Sequence, residues 1–524
     1  MQFTITYLKK IIDPLNRFYI KYKPTLLFIT LLACMFFTIK FLEYDKNFPT
    51  RPRSVHSWAQ CMRASIAKNY AEESMNFFLP RLHNYLDGEG ITGLEFPLVN
   101  YIVAILYKLF GFNEAYYRGF MCFTMFLGLF YFFKLHNNLL NNVFLSLLSV
   151  SLAFFSPVLV YYTTNFMPDV TSLALVLIGW YLFFDYLKTT RVQKLYWLVL
   201  VLTIASLIKV TSFIAFGVLF CVLILDHFKF YHKTTNGEFL IKHKKQFIIA
   251  SVLGTMIIFG WYYYAQWLSE KYHSNAFTLG SVYPKTEEEF WSVVEAIKNN
   301  WYTEYYRPEF YNILFYMLIA VVVLFKYTSR LLFSILFFTT LGSLAFTFLM
   351  FIQFKNHDYY IIPLLPSVFL LLLTFFDTIN RLFTKKVLVV KYVVAVVLCV
   401  IMFDNAVYAR EHYIYRQSEY YLDTTGDDFR MYYDLEPKLR EWGIKKEDLT
   451  LIGKDYTYCN SLYLSNQRGF VFNEYDANYI SAVFTLKPRV LILNDTAQFN
   501  KVYSNDFKNK IVGVHKNLII YKLY

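Results

Sequence analysis

The chain has 524 residues, 56% of them hydrophobic and 21% aromatic, with a mean hydropathy of +0.35. A soluble chain of this length would divide into several domains with polar surfaces, so this composition excludes an ordinary soluble protein. The formal net charge of +13 does not argue for a nucleic-acid partner, because the basic residues cluster in short segments between apolar runs.

Apolar stretches of about 18 residues recur along the chain, the length that crosses a bilayer as a helix. The first, Pro24 to Phe41, follows Lys9, Lys10, Arg17, Lys21 and Lys23. It is too long for a signal-peptide core and lacks a small-residue cleavage site. It reads as an uncleaved signal anchor with the N-terminus in the cytoplasm. Residues 43–117 then lie outside. Within them SVHSWAQCMRASIAKNY reads as an amphipathic helix that Ser54 can cap. Val55, Trp58, Met62, Ile66 and Tyr70 recur on one face, and His56, Gln60 and Arg63 share another. Such a helix can lie flat on a membrane surface. The run Pro97 to Gly111 is apolar but short for a span, and reads as interfacial.

Further spans are predicted at about 118–136, 143–163 and 170–188, then as a pair at 195–208 and 211–228 pinched around IKVTS. Others follow at about 247–265, 309–325, 330–352, 359–376 and 389–403, giving about eleven in all. On this count Lys188, Arg191 and Lys194 fall on the cytoplasmic side. So do Lys229, Lys233, Lys242, Lys244 and Lys245, then Lys326 and Arg330, then Arg381, Lys385, Lys386 and Lys391. That is the positive-inside pattern, and it makes the basic charge topological.

From about residue 404 the apolar runs shorten to LTLIG, RVLILN and NLIIYKL, separated by helix-like polar stretches. This reads as a small α/β domain outside the cytoplasm. The expected organisation is a transmembrane domain over 1–403, including the outer segment 43–117, and an extracytoplasmic domain over 404–524. Of the six cysteines, only Cys61 and Cys459 lie in polar segments. One pair so distant in sequence is little ground for a disulfide, and no Cys/His spacing suggests a metal.

The same topology gathers polar residues at the outer ends of the spans: His56 and Arg63, Glu95 in GLEFP, Asp169 in TTNFMPDV, Lys209 in LIKVTS, and His357, Asp358 and Tyr360 in FKNHDYYIIPLLP. Charged groups at membrane depth are costly and are usually held for function or by partners. Lys and His can balance a phosphate and stabilise charge on a departing phosphate group. A carboxylate can orient or deprotonate an attacking hydroxyl. The structural alternatives are plain. Asp169 can cap a helix, Glu95 can be a solvated loop acid, and Lys209 can snorkel. His56 and Arg63 can meet headgroups, and His357 can pair with Asp358. Tyr359 and Tyr360 can belong to an interfacial belt, and Glu287, Glu288 and Glu289 can be a solvated helix face.

Four segments, HSWAQCMRASIAKNY, EFPLVNYIVAILYKLFG, NFMPDVTSLALVLIGWYLF and HDYYIIPLLP, stand in an order that resembles the C-type (GT-C) glycosyltransferase superfamily. The likeness is greatest to bacterial relatives of the protein mannosyltransferases and of the lipid A aminoarabinose transferase, and YCNSLYLSNQRGF resembles their outer C-terminal domain. The resemblance implies a polytopic α-helical GT-C fold with an extracytoplasmic α/β domain. It implies inverting transfer of a sugar from undecaprenyl phosphate to a hydroxyl of a lipid, glycan or protein, at the outer face of the bacterial cytoplasmic membrane. The lipid-linked sugar is a substrate, and no resident cofactor is implied. Asp169 matches the family's second outer-loop acid, and Lys209 matches a lysine at the mouth of the paired spans. One departure stands out: the acidic residue usual in the first outer helix falls at Met62, which cannot take a proton. That leaves Asp169 and Glu95 as candidate catalytic carboxylates, with His56, Arg63, Lys209, His357, Asp358 and Tyr360 as candidate substrate contacts. A transporter or flippase of lipid-linked sugar, and a non-catalytic carrier-binding scaffold, are the competing readings.

Overall fold

The computed structural model describes residues 25–524 apart from 27, 86–88, 233–236, 275, 277–279, 281, 383–387, 422–428, 475 and 503–506. Lys9, Lys10, Arg17, Lys21, Lys23, Pro24, Lys233, Lys385 and Lys386 lie outside the described residues. The chain forms two compact units, Met1–Asn47 and Phe48–Tyr524. The first carries an apolar helix, Phe28–Phe41, and a short helix, Tyr44–Asn47.

Among the described residues, seven helices are long and apolar enough to cross a membrane. The second unit contains all seven, and the ten helices that frame its site are labelled here: α1 (Ser57–Glu72), α2 (Leu98–Phe110), α3 (Glu114–Leu140), α4 (Asp169–Thr189), α5 (Val192–Ile208), α6 (Ile214–His227), α7 (Lys244–Lys271), α8 (Arg330–Leu349), α9 (Leu365–Leu382) and α10 (Leu388–Arg416). Some expected spans are shorter or broken. The run at 143–163 divides into Val143–Phe154 and Pro157–Tyr162. Pro157 has no N–H to continue the ladder, and Ser156 Oγ accepts from Leu159 N to start the second piece.

Sequence periodicity sets which side of each helix packs. On α7, Ser251, Gly254, Ile258, Trp261 and Tyr262 are buried, while Ile249, Leu253, Met256 and Ile257 are exposed. That spacing of three and four residues leaves one apolar face for lipid. Helices α3 and α4 approach so closely that a Cβ on Gly128 would lie 2.6 Å from Ala174 Cα. Small residues permit such contact where lipid supplies no hydrophobic drive. The IKVTS pinch is a real break. Lys209 is extended (φ −147°, ψ 114°), and a 3-10 turn, Val210–Phe213, leads into α6.

Two expectations are corrected. First, α1 does not lie on a surface with one face exposed, because all its residues from Ser57 to Ala71 are buried or half-buried. Ser54 does not cap it either; its hydroxyl donates to the Arg416 carbonyl, and His56 occupies the cap position with no side-chain cap bond. Second, the boundary expected at 403/404 falls inside α10, which runs unbroken to Arg416.

The C-terminal α/β domain holds strands β1 (Leu449–Gly453), β2 (Arg468–Phe472), β3 (Val490–Leu493), β4 (Ile511–His515) and β5 (Leu518–Lys522) in the order β2-β1-β3-β5-β4. Strand β1 is parallel to β2 and β3, with Leu451 opposite Phe470 and Leu491, whereas β5 is antiparallel to β3 and β4. The domain covers α1. Arg468 meets Glu73 at 2.6 Å and donates to Asn69 Oδ1 at 3.0 Å, and Asn460 donates to Ser57 Oγ at 3.0 Å. The backbone of Gly469 joins His83 and Tyr85 of the outer segment. Any Cβ there would strike the Thr450 carbonyl oxygen at 1.9 Å. This cover is the physical reason that α1 is enclosed.

Candidate active site

Four charged side chains from four separate segments form a chain of ion pairs. Arg63 sits midway along α1, and Glu95 lies in the loop before α2. Asp169 is the first residue of α4, and Lys209 is at the break after α5. Arg63 Nη2 lies 3.1 Å from Glu95 Oε1, and Lys209 Nζ lies 3.3 Å from Glu95 Oε1 and 3.0 Å from Asp169 Oδ1. The backbone fixes these positions. Phe96 N donates to the Leu207 carbonyl at 3.1 Å, and Trp261 Nε1 donates to the Leu94 carbonyl at 3.1 Å, which pins both sides of Glu95. Asp169 does not cap α4, because Pro168 holds that position and no side-chain cap bond forms. Its Oδ1 lies against Lys209 Nζ instead.

The electrostatics follow from this pairing. Burial alone would raise the Glu95 carboxyl, but Arg63 and Lys209 outweigh it and hold the group at about 2. Burial would lower the Lys209 ammonium, yet Asp169 and Glu95 together raise it. The chain therefore holds two cations and two anions and is charge-balanced on its own.

These four residues line a cavity of about 270 Å³, together with Trp58, Met62, His357 and Tyr360 among others. The Tyr360 ring stacks on Phe346 with centroids 6.1 Å apart. His357 Nδ1 meets the Gln353 carbonyl at 3.1 Å, which makes Nδ1 the protonated nitrogen and leaves Nε2 with its lone pair. Burial, with His56 beside it, pushes this imidazole down to about 4. From Asp169 and Lys209 a narrow cleft of about 20 Å³ continues along Leu173, Val176, Trp180 and Ile362, an apolar path between helices.

His56 and Asp358 lie one layer behind. Asp358 is fully buried: its Oδ1 accepts from Tyr162 Oη at 2.7 Å and lies 3.2 Å from His56 Nε2, and its Oδ2 lies 2.8 Å from Arg416 Nη1. Arg416 in turn reaches Glu304 at 2.9 Å, which also meets His412 at 2.9 Å. The expected His357–Asp358 pair does not form. Instead, the His56 ring stands 5.4 Å from the His357 ring and bridges the two layers.

Thus the fold brings Arg63, Glu95, Asp169, Lys209, His357 and Tyr360 to one cavity and sets His56 and Asp358 against its wall. Sequence reasoning missed Arg416, Glu304 and Tyr162. The available signal was faint: a basic residue ending an apolar helix in YAREHYIYR, and a lone acid in WYTEYY. Cys61 and Cys459 are both buried and free. Glu287, Glu288 and Glu289 form an exposed first turn of a helix capped by Thr286. Among the described residues no group of three or more His, Cys, Asp or Glu is placed to hold a metal.

Comparison with known proteins agrees with this architecture. Residues 95–263, which carry Glu95, Asp169 and Lys209, match the dolichyl-phosphate-mannose-protein mannosyltransferase family. No curated protein matches the sequence. The structure is similar to ArnT from Cupriavidus metallidurans in the apo state, with a TM-score of 0.56 and 11% identity over 93% of this chain and 98% of that one. It is similar also to ArnT from Cupriavidus metallidurans bound to undecaprenyl phosphate, with a TM-score of 0.57 and 11% identity over 95% and 97% of the two chains. The chain is a multi-pass membrane protein with the fold of these ArnT structures, and its residues 95–263 match the mannosyltransferase family model.

Proposed function

We propose that this protein transfers a sugar from a polyprenyl-phosphate carrier to an acceptor hydroxyl at the outer face of the cytoplasmic membrane. The observation that carries this reading is the cavity itself. Arg63 and Lys209 face water-sized space at one end of an apolar cleft, the arrangement that suits an anionic head on a lipid tail. Arg63 has five N–H donors and Lys209 three, so each can meet a phosphate oxygen while keeping a carboxylate partner. The cleft along Leu173 and Val176 would take the first isoprene units. Asp169, at the junction of cavity and cleft, would orient the attacking hydroxyl, and Glu95 would fix both cations. Tyr360 and Trp58 would bound the sugar. His56 and Asp358 would act by holding His357 in place.

In this reading the C-terminal domain and α1 form the outer wall, and the N-terminus is cytoplasmic. The solved structure with undecaprenyl phosphate supports a polyprenyl carrier for a chain of this fold. The test is direct binding of undecaprenyl phosphate to the purified full-length protein. Wild type should bind, and Lys209→Met should weaken binding by at least about tenfold, since charge-assisted hydrogen bonds contribute roughly 1.5–3 kcal/mol. Equal binding by wild type and Lys209→Met would move the phosphate elsewhere and overturn the site.

A further inference from the structure

The cavity has two carboxylates, and a cation stands against each of them. Glu95 is shared between Arg63 and Lys209, and Asp169 is paired with Lys209. The position where a third acid is expected holds Met62, which lines the cavity and has no ionisable group. His357 differs from all of these. Its Nδ1 is committed to the Gln353 carbonyl, and its Nε2 keeps a lone pair on a ring that lines the cavity.

The groups around this ring come from several elements. His56 precedes α1, with its ring 5.4 Å away, and its Nε2 is turned to Asp358. The Trp58 ring lies edge-on at 5.9 Å, and Tyr359 and Tyr360 stand at 5.5 and 5.8 Å. Lys209 faces the same space and opposes a positive charge on the ring, while Asp358 favours one. Asp358 is itself engaged by Arg416, Tyr162 and His56. Burial, with His56 and Lys209 nearby, therefore keeps the imidazole neutral.

We propose that His357 is the proton acceptor of this site, taking the acceptor hydroxyl's proton as charge grows on the departing phosphate. The proposal rests on the glycosyl-transfer reading above. The bond between the sugar's anomeric carbon and the phosphate oxygen breaks, and its electron pair stays on that oxygen. A bond forms from the anomeric carbon to the acceptor oxygen, and the acceptor's O–H proton passes to His357 Nε2. The phosphate goes from one negative charge as a diester to two as a monoester, and the imidazole goes from neutral to singly positive. Because the Arg63–Glu95–Lys209–Asp169 chain is already balanced, it has no spare cation for that added charge. The imidazolium supplies one where it is needed.

The experiment uses the wild-type protein and undecaprenyl phosphate, the carrier left after transfer. Binding is established first. Carbethoxylation of His357 by diethyl pyrocarbonate, which requires the neutral ring, is then followed by mass spectrometry from pH 5.5 to 7.5. Without carrier the rate constant, corrected for reagent decay, should be nearly flat with pH. With saturating carrier it should fall by about tenfold or more from the top to the bottom of that range, as a pKa raised above this window's centre requires. A pH-independent rate in both states, or a carrier effect of the same factor at every pH, would mean mere shielding and would overturn the proposal. Failure of the carrier to bind would instead remove the glycosyl-transfer reading, and the proposal with it.

Discussion

Two charge clusters sit within one ring–ring contact of each other and use the same chemistry to different ends. In Arg63–Glu95–Lys209–Asp169, the Arg63, Glu95 and Lys209 side chains keep 13–16% exposure and border open space. In the cluster of Asp358, Arg416, Glu304, His56 and His412, the central pair is sealed, with Arg416 at 2% and Asp358 at 0%. Ion pairs bordering a cavity can exchange a partner for a ligand. Sealed pairs cannot, and serve instead to fix the relative positions of the segments they join. Here they tie the 3-10 segment Asp358–Leu364 to the C-terminal end of α10. Here the charges that border open space line the cavity, and the sealed charges brace the wall behind it.

The comparison can be broken most severely at Arg416. Arg416→Met leaves the buried Asp358 and the half-buried Glu304 without their shared arginine, and should lower stability by about 3–5 kcal/mol, read by thermal unfolding in detergent. Adding Asp358→Asn and Glu304→Gln should restore part of that loss. An unchanged melting profile in the single variant would deny the sealed cluster its structural role. Next in size, Asp169→Asn should reduce sugar transfer about 100-fold while leaving carrier binding within a few-fold. Loss of binding with unchanged turnover of bound carrier would instead make Asp169 a binding residue.

A smaller effect concerns acid. Glu95 titrates at about 2 in the fold against 4.5 ordinarily. Its contribution to stability is therefore present above about pH 4.5 and is lost as pH falls toward 2. His357 acts in the same direction, since the fold disfavours its charged form and so loses stability as pH drops below 6.5 toward 4. Glu95→Gln should flatten the decline in melting temperature below pH 4.5; an unaltered slope would show that the pairing contributes nothing. The smallest effect is expected at Met62. Met62→Leu conserves volume and should cost less than about 1.5 kcal/mol with carrier binding unchanged. A large loss of binding would give the thioether a role beyond packing.

Much of the architecture was legible in the sequence. Long apolar runs mark α3, α4, α7 and α8 because lipid demands both length and apolarity, and both are local properties. LTLIG, RVLILN and NLIIYKL correspond to β1, β3 and β5, whereas β2 (RGFVF) and β4 (IVGVH) were not among the predicted runs. Pro157 and the IKVTS pinch mark their breaks through backbone chemistry that acts within a few residues. The order of the motifs carried the family resemblance, and six of the eight candidate site residues line one cavity.

What the sequence by itself determined, then, is a membrane-embedded helical scaffold, a small α/β domain, and a set of polar residues at one end of the spans. Hydropathy and periodicity determine these because each depends on residues near one another in the chain. Only the tertiary structure decided the partners. Asp358 turns from its neighbour His357 to Arg416 and Tyr162, and α1 is enclosed because Arg468 and Asn460 bring a distant domain down upon it. Ion pairing and enclosure depend on distances of a few ångströms between segments that are tens to hundreds of residues apart. No local pattern encodes those distances; packing of the whole fold sets them.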